Sequence, residues 1–264
     1  MLDQFFFFER NTRMTIGKNA AFVQGASRGI GLAILRQLLT DNRFDAVYAS
    51  ARTEHEPALI ELTEQYPERL RVLTLDVCNE NSITAAAAAL DTAKTTLSLL
   101  INCSGVLHTD SLQPEKRLGE VSLANLESSF RVNAFGPLLV AKHFSPFFSR
   151  SNRCVMANLS ARVASVEDNR LGGWYAYRAS KAALNMFTKN IAIELARSYR
   201  TIICVALHPG TVNTNLSRPF QRNVPPAKLF EPSQAAAQLL DVIDSLEIAD
   251  NGGFFAWDGQ PIPW

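Results

Sequence analysis

The 264-residue chain has almost no net charge: 26 Lys and Arg stand against 25 Asp and Glu, giving +1 at neutral pH. This excludes the strongly basic field that nucleic acid or an anionic membrane surface would select. Cysteine is scarce. Cys78, Cys103, Cys154 and Cys204 lie far apart with no CxxC pair, against a zinc knuckle, a thioredoxin-type motif or a dense disulfide framework, and in keeping with a reducing cytoplasm. No apolar run approaches the roughly 18 residues of a spanning helix, and Phe5 to Phe8 lack the basic region and cleavage site of a secretory signal. His55, His108, His143 and His208 show no metal-ligand spacing, so no metal is expected. No Gly/Ser linker and no internal repeat divides the chain. Small partners with little charge are expected, with no nucleic acid and no membrane among them.

What is present is alternation. Residues 1–14 carry no periodic pattern and read as a tail, either preceding a true start at Met14 or forming an apolar arm for a partner subunit. Beyond it, apolar runs at 20–24, 45–50, 71–75, 97–101, 153–159, 201–207 and 253–257 alternate with helical intervals. Continuous Val/Ile/Leu/Ala runs mark strands buried on both faces. Strand-helix alternation with right-handed crossovers then predicts an α/β fold: one Rossmann-like domain over residues 15–264, a doubly wound parallel sheet of about seven strands with helices on both faces. Ala85 to Ala89 is a plain helix former. Residues 211–231, with Pro219, Pro225 and Pro226, follow a strand and form a candidate lid.

Gly25-Ala26-Ser27-Arg28-Gly29-Ile30-Gly31 joins the first strand to the first helix. A dinucleotide pyrophosphate needs backbone amides aimed at it, no Cβ in the way and the favourable potential of a helix N-terminus; this turn offers all three. About twenty residues on, where an acidic residue would hold an NAD ribose hydroxyl, the sequence reads Ala49-Ser50-Ala51-Arg52. An Arg there accepts a ribose 2′-phosphate and Arg28 adds a second cation, so the expected cofactor is NADP(H). Arg52 as a solvated loop residue is the alternative.

Tyr177 and Lys181 stand four apart in a helical segment over residues 173–199, on one face. A phenol is a poor base at neutral pH unless a neighbouring cation lowers its pKa, so the pair reads as an acid/base. Ser160 ends the fifth strand, where its hydroxyl meets developing charge on a carbonyl oxygen; Ser165 competes for that role. Asn133 is polar among apolar neighbours in the helical stretch 123–140, and its buried amide needs partners, a relay water among them.

Taken together, Gly25 to Gly31, Asn102-Cys103-Ser104-Gly105 after the fourth strand, Asn133, Ser160, Tyr177 with Lys181, and Pro209-Gly210 after the sixth strand resemble the short-chain dehydrogenase/reductase family. Residues 174–181 and 257–264 are similar to its C-factor-like and sniffer-type carbonyl reductase branch. The resemblance implies hydride transfer between NADP(H) and a carbonyl or secondary alcohol. Tyr177 would be the acid/base, Lys181 would bind the nicotinamide ribose, Ser160 would orient the carbonyl and Asn133 would hold the relay water. It further implies cofactor contacts from Gly25, Ser27, Arg28, Ile30, Gly31 and Arg52, from Asp76 and Val77 at the adenine, and from Asn102, Ser104 and Gly105 at its ribose. Pro209, Gly210, Val212 and Thr214 would face the nicotinamide and phosphates. A homodimer or homotetramer is implied by many relatives, a monomer by others of this branch. A catalytically silent nucleotide-sensing or signalling protein on the same fold is the rival reading. Asn102-Cys103-Ser104-Gly105 replaces the family's usual Asn-Asn-Ala-Gly, and the spacing from Ser160 to Tyr177 is a few residues longer than usual, residues 167–172 being the insertion.

Overall fold

The computed structural model describes residues 19–53 and 55–264, so the expected tail and its boundary at residue 15 lie outside the described residues. Seven parallel strands form the sheet: β1 (Ala20–Gln24), β2 (Ala46–Ala51), β3 (Leu70–Thr74), β4 (Leu97–Asn102), β5 (Cys154–Leu159), β6 (Ile202–His208) and, after two short strands described below, β9 (Phe254–Ala256). Their spatial order is β3-β2-β1-β4-β5-β6-β9. All seven expected strands are therefore present, each within a few residues of its expected position.

The pleat explains why these runs are continuously apolar. Ala21 and Val23 of β1, Val155 and Ala157 of β5, and Ile203 and Val205 of β6 point into one core. The intervening Ala20, Phe22, Cys154, Met156, Ile202 and Cys204 point into the other. The first core is roofed by α1 (Gly29–Thr40), α2 (Pro57–Gln65) and α7 (Pro232–Ser245). On the opposite face lie α3 (Glu80–Thr92), α5 (Gly136–Phe144) and α6 (Tyr175–Leu195). Ala86 and Ala87 of the alanine run are the small buried contacts of α3.

Helix ends away from the site are closed by arginines. The Arg69 guanidinium donates to the carbonyls of Leu39 (2.7 Å), Asp41 and Phe44 at the end of α1. Arg153 does the same for Ile243 (2.6 Å) and Leu246 at the end of α7. Each satisfies orphan carbonyls with a cation where the helix dipole favours one.

The stretch expected as one helix over residues 123–140 is continuous but not uniform. α4 (Leu123–Phe130) and α5 are joined by a π-helical turn, Arg131–Phe135, with Asn133 in its middle and fully buried. A π-turn widens the helix by one residue and commonly marks a functional position. Hydropathy does not register it.

The crossover from β1 goes to β2 and the chain then returns past β1 to β4, so the turns after these two strands diverge and leave a crevice at their carboxyl ends. The glycines of the first turn are fixed by close approach. A Cβ on Gly31 would overlap the carbonyl oxygen of Gly25, and one on Gly25, whose φ is +78°, would lie 2.9 Å from the amide nitrogen of Ser104. Gly31→Ala is therefore expected to cost about 1–3 kcal/mol by overpacking. Thermal unfolding without nucleotide should show a Tm several degrees lower, each kcal/mol being worth roughly 2–4 °C at this chain length.

Candidate active site

Six turns, those after β1 to β6, lie at the carboxyl edge of the sheet. After β1, α1 begins with no side-chain cap, leaving its N-terminal amides open. The turn is braced by Ala26, whose amide donates to the Ser50 carbonyl (2.8 Å), and by Gln24, whose main-chain and side-chain oxygens accept from the amides of Cys103 (2.9 Å) and Ser104 (3.2 Å). Ile30 packs against the core, while Ser27 is half-buried and Arg28 is exposed. Arg52 is exposed directly after β2. Asp76 is half-buried after β3 and accepts from the Cys78 amide (2.9 Å), and Val77 packs closely against Gly136 at the start of α5. Asn102, Ser104 and Gly105 follow β4; the Asn102 Oδ1 and Ser104 Oγ are buried with no hydrogen-bond partner.

After β6, Pro209 and Gly210 lead into β7 (Thr211–Val212), which pairs with β8 (Leu229–Phe230). The expected lid is thus rooted by a short ladder and reinforced by the Asn213 amide on the Phe230 carbonyl (2.8 Å). At its base the Thr214 methyl comes near Gly29, and its body is a 3-10 turn over Arg218–Asn223. Phe220 of that turn packs edge-on against Trp174 (4.9 Å between centroids) and His108 (5.8 Å), and His108 Nε2 meets the Asn215 carbonyl (3.0 Å). Phe220 was not legible, because nothing in a proline-rich loop says where an aromatic ring in it lands.

The four residues expected to transfer the proton are all buried and close together in the fold. Tyr177 lies under the Trp174 ring (6.2 Å), in the first turn of α6. One turn further, Lys181 Nζ donates to the carbonyl of Leu159 (2.7 Å), the last residue of β5. Ser160 follows, its amide bonded to the Leu207 carbonyl (2.7 Å) and its hydroxyl donating to Asn185 Oδ1 (2.6 Å) on α6. Ser165 instead receives the Asp168 amide (3.0 Å) and reaches the Trp264 carbonyl (3.3 Å), so it closes a turn at the base of the exposed insertion, and Ser160 is the serine facing α6.

Burial changes two expectations, narrowing the first and overturning the second. The Asn133 amide is satisfied by protein: Nδ2 donates to the Val106 carbonyl (2.8 Å) and Ser180 Oγ (3.0 Å), and Oδ1 accepts from the Val106 amide (2.8 Å). Both donor hydrogens are spent, leaving only the second lone pair of Oδ1 for water. That oxygen and Lys181 Nζ face the same space, 3.5 and 3.6 Å from where a Gly105 Cβ would stand. The second correction concerns charge. Tyr177 is not lowered by Lys181; burial pushes the phenol up to about 12, and burial brings the Lys181 ammonium down to about 8. Lys181 is turned to the Leu159 carbonyl, and desolvation outweighs any attraction between the pair.

Two further residues, Glu115 and Asn185, escaped the sequence reading. Glu115 is buried and accepts the Ala176 amide (3.1 Å), holding the start of α6 from a distant loop. Trp174, at the N-cap, sits in the left-handed region (φ 51°). Asn185 stands four residues past Lys181 and eight past Tyr177, a spacing that alone would have placed it on the same helix stripe.

Among the described residues no group of His, Cys, Asp and Glu is arranged to hold a metal, and no helix is long and apolar enough to cross a membrane. A family model described as short chain dehydrogenase matches residues 19–225. An uncharacterized oxidoreductase of Schizosaccharomyces pombe is 29% identical over 254 residues, covering 92% of this chain and 97% of the relative. The fold overlays on NADPH-bound carbonyl reductase from chicken fatty liver with a TM-score of 0.81 at 28% identity, over 93% of this chain and 94% of that one. For the carbonyl reductase Sniffer of Drosophila melanogaster the TM-score is 0.82 at 26% identity, over 93% and 99%.

With Lys181 held near 8, its ammonium population falls as pH rises through that value. The affinity for a nicotinamide cofactor held through that ammonium is expected to weaken between about pH 7 and about pH 9, with Lys181→Met binding weakly and with little slope across that range. Fluorescence titration of the bound nicotinamide checks both.

Proposed function

Because this chain belongs to the short-chain dehydrogenase/reductase family of oxidoreductases, which use nicotinamide cofactors, we propose that it is an NADP(H)-dependent carbonyl reductase. The observation that carries this reading is a set of four buried polar side chains near the carboxyl edge of the sheet: Asn133 and Lys181 face Gly105 after β4, Ser160 follows β5, and Tyr177 lies one turn before Lys181 on α6. The crevice fits a dinucleotide. It offers uncapped helix amides, a glycine turn with no space for a Cβ, and buried partnerless oxygens on Asn102 and Ser104. When bound, NADPH supplies the hydride.

The chain's own residues do the rest. Gly25, Ser27, Ile30 and Gly31 present the phosphate turn, Arg28 and Arg52 meet a ribose 2′-phosphate, and Asp76 and Val77 flank the adenine. Asn102, Ser104 and Gly105 line its ribose, and Pro209, Gly210, Val212 and Thr214 close the nicotinamide end. Lys181 binds the nicotinamide ribose. Burial keeps Tyr177 protonated at neutral pH, so it is ready to donate to the carbonyl oxygen as hydride reaches the carbon; in alcohol oxidation the same oxygen takes the proton back. Ser160 orients that carbonyl, a donor of this kind contributing about 3 kcal/mol. Asn133 Oδ1 and Lys181 Nζ bracket a water over Gly105 that returns the proton to Tyr177.

A pure nucleotide sensor has no need of a proton donor, and the complete set favours turnover over the silent reading. Four unpaired cysteines support a cytoplasmic protein. Exposed Leu123, Phe135, Met186 and Ile193 on the α4 to α6 region support a homodimer or homotetramer through those helices.

NADPH consumption by the purified protein against aldehydes, ketones, quinones and diketones tests the reading, and no turnover of any of them would refute it. Tyr177→Phe is expected to lower kcat about 10³-fold with NADPH binding intact, measured by steady-state kinetics and fluorescence. Arg52→Asp is expected to cut the preference for NADPH over NADH by about 10- to 100-fold in kcat/KM, the worth of a charge-assisted bond.

A further inference from the structure

Ser160 has one proton, and in this structure it is spent on the wrong side. The hydroxyl donates to Asn185 Oδ1 at 2.6 Å, away from any carbonyl that Ser160 would have to orient. Both residues are buried, Ser160 at 5% and Asn185 at 3% exposure, so bulk water does not compete for either group. The other end of the same amide, Asn185 Nδ2, is buried with no hydrogen-bond partner. A buried donor without an acceptor is the rarer and costlier kind of orphan.

One motion resolves both facts. Turning the Asn185 amide by half a revolution about its last rotatable bond brings Nδ2 onto Ser160 Oγ. The orphan donor gains an acceptor and the hydroxyl proton is released toward the substrate side. We infer that Asn185 is a positioning residue for Ser160, its amide setting whether the serine proton points into helix α6 or at the substrate carbonyl. Asparagine suits this because its two ends are nearly equal in shape and opposite in hydrogen-bonding sense. The backbone around the pair is fixed: Ser160 N is held by Leu207, Lys181 ties the preceding turn of α6 to Leu159, and Thr188 ties the following one to Asn158 (2.8 Å). Only the amide is left to turn. The inference rests on the reading of Ser160 as the carbonyl-orienting hydroxyl.

The test compares wild type, Ser160→Ala, Asn185→Asp and Asn185→Leu in the full chain, with NADPH and 9,10-phenanthrenequinone, an activated aromatic diketone. NADPH fluorescence counts competent sites, so kcat refers to folded protein. An aspartate at 185 only accepts and keeps the serine proton turned away; Asn185→Asp is expected to lose kcat about as Ser160→Ala does, about 10²-fold. A leucine leaves the hydroxyl free to rotate, and Asn185→Leu is expected to lose less, about tenfold. KM and NADPH affinity should stay within about twofold in both, which the loss of one hydrogen bond to the transition state predicts. A packing role alone would rank them the other way, the near-isosteric aspartate above leucine; that order, or an Asn185→Asp variant close to wild type beside an impaired Ser160→Ala, overturns the inference. A Ser160→Ala variant close to wild type, or no turnover of the quinone by wild type, overturns instead the reading beneath it, and this inference with it.

Discussion

The bond from Lys181 to the carbonyl of Leu159 holds the chemical end of this protein together. It joins the middle of α6 to the last residue of β5, and it is part of a stripe: Lys181 on Leu159, Asn185 on Ser160, Thr188 on Asn158, at successive turns of the helix. Asn158 in turn accepts from Asn102 at 2.7 Å, carrying the polar ladder one strand further, toward the turn after β4. Buried polar groups are tolerated only when nearly all are paired. The pairing leaves few registers in which α6 can lie on the sheet, and Tyr177, on the same helix, is placed accordingly.

Burial also sets the electrostatics. Sequence reasoning about Tyr177 and Lys181 considers the pair and concludes that the cation lowers the phenol. In the folded chain both are buried, and the cost of removing charge from water dominates, pushing the phenol up and the ammonium down. The outcome suits proton donation: a neutral phenol beside an amine whose charge is easily shifted.

The strands were legible because burial on both faces forces unbroken apolar runs such as Ile202 to Leu207, and the first turn because three glycines, Gly25, Gly29 and Gly31, span the passage from a strand ending in Gln24 into a helix opening at Gly29. Ser160 could be read as the residue after the fifth apolar run, and Tyr177 with Lys181 as a pair by their helical spacing. What escaped was everything decided by pairing at a distance. Asn133 reads as a polar residue seeking partners, but only the fold reveals that Val106 and Ser180 take them. The grip of Glu115 on α6 and the seat of Phe220 against Trp174 each join segments far apart in the chain, and a single sequence holds no trace of those meetings; the π-turn around Asn133 is local, but hydropathy carries no signal for it.

The crevice is assembled from turns that follow six different strands, each held by the strand it leaves and by its neighbours across the sheet, with the turn after β6 adding a small apolar cluster of Val212 and Phe230 on Ala235 of α7. The cavity therefore has no existence apart from the intact β-scaffold. Heat or denaturant that separates even one central strand dissolves the whole receptor at once, which makes ligand affinity a faithful gauge of how cooperatively the scaffold holds.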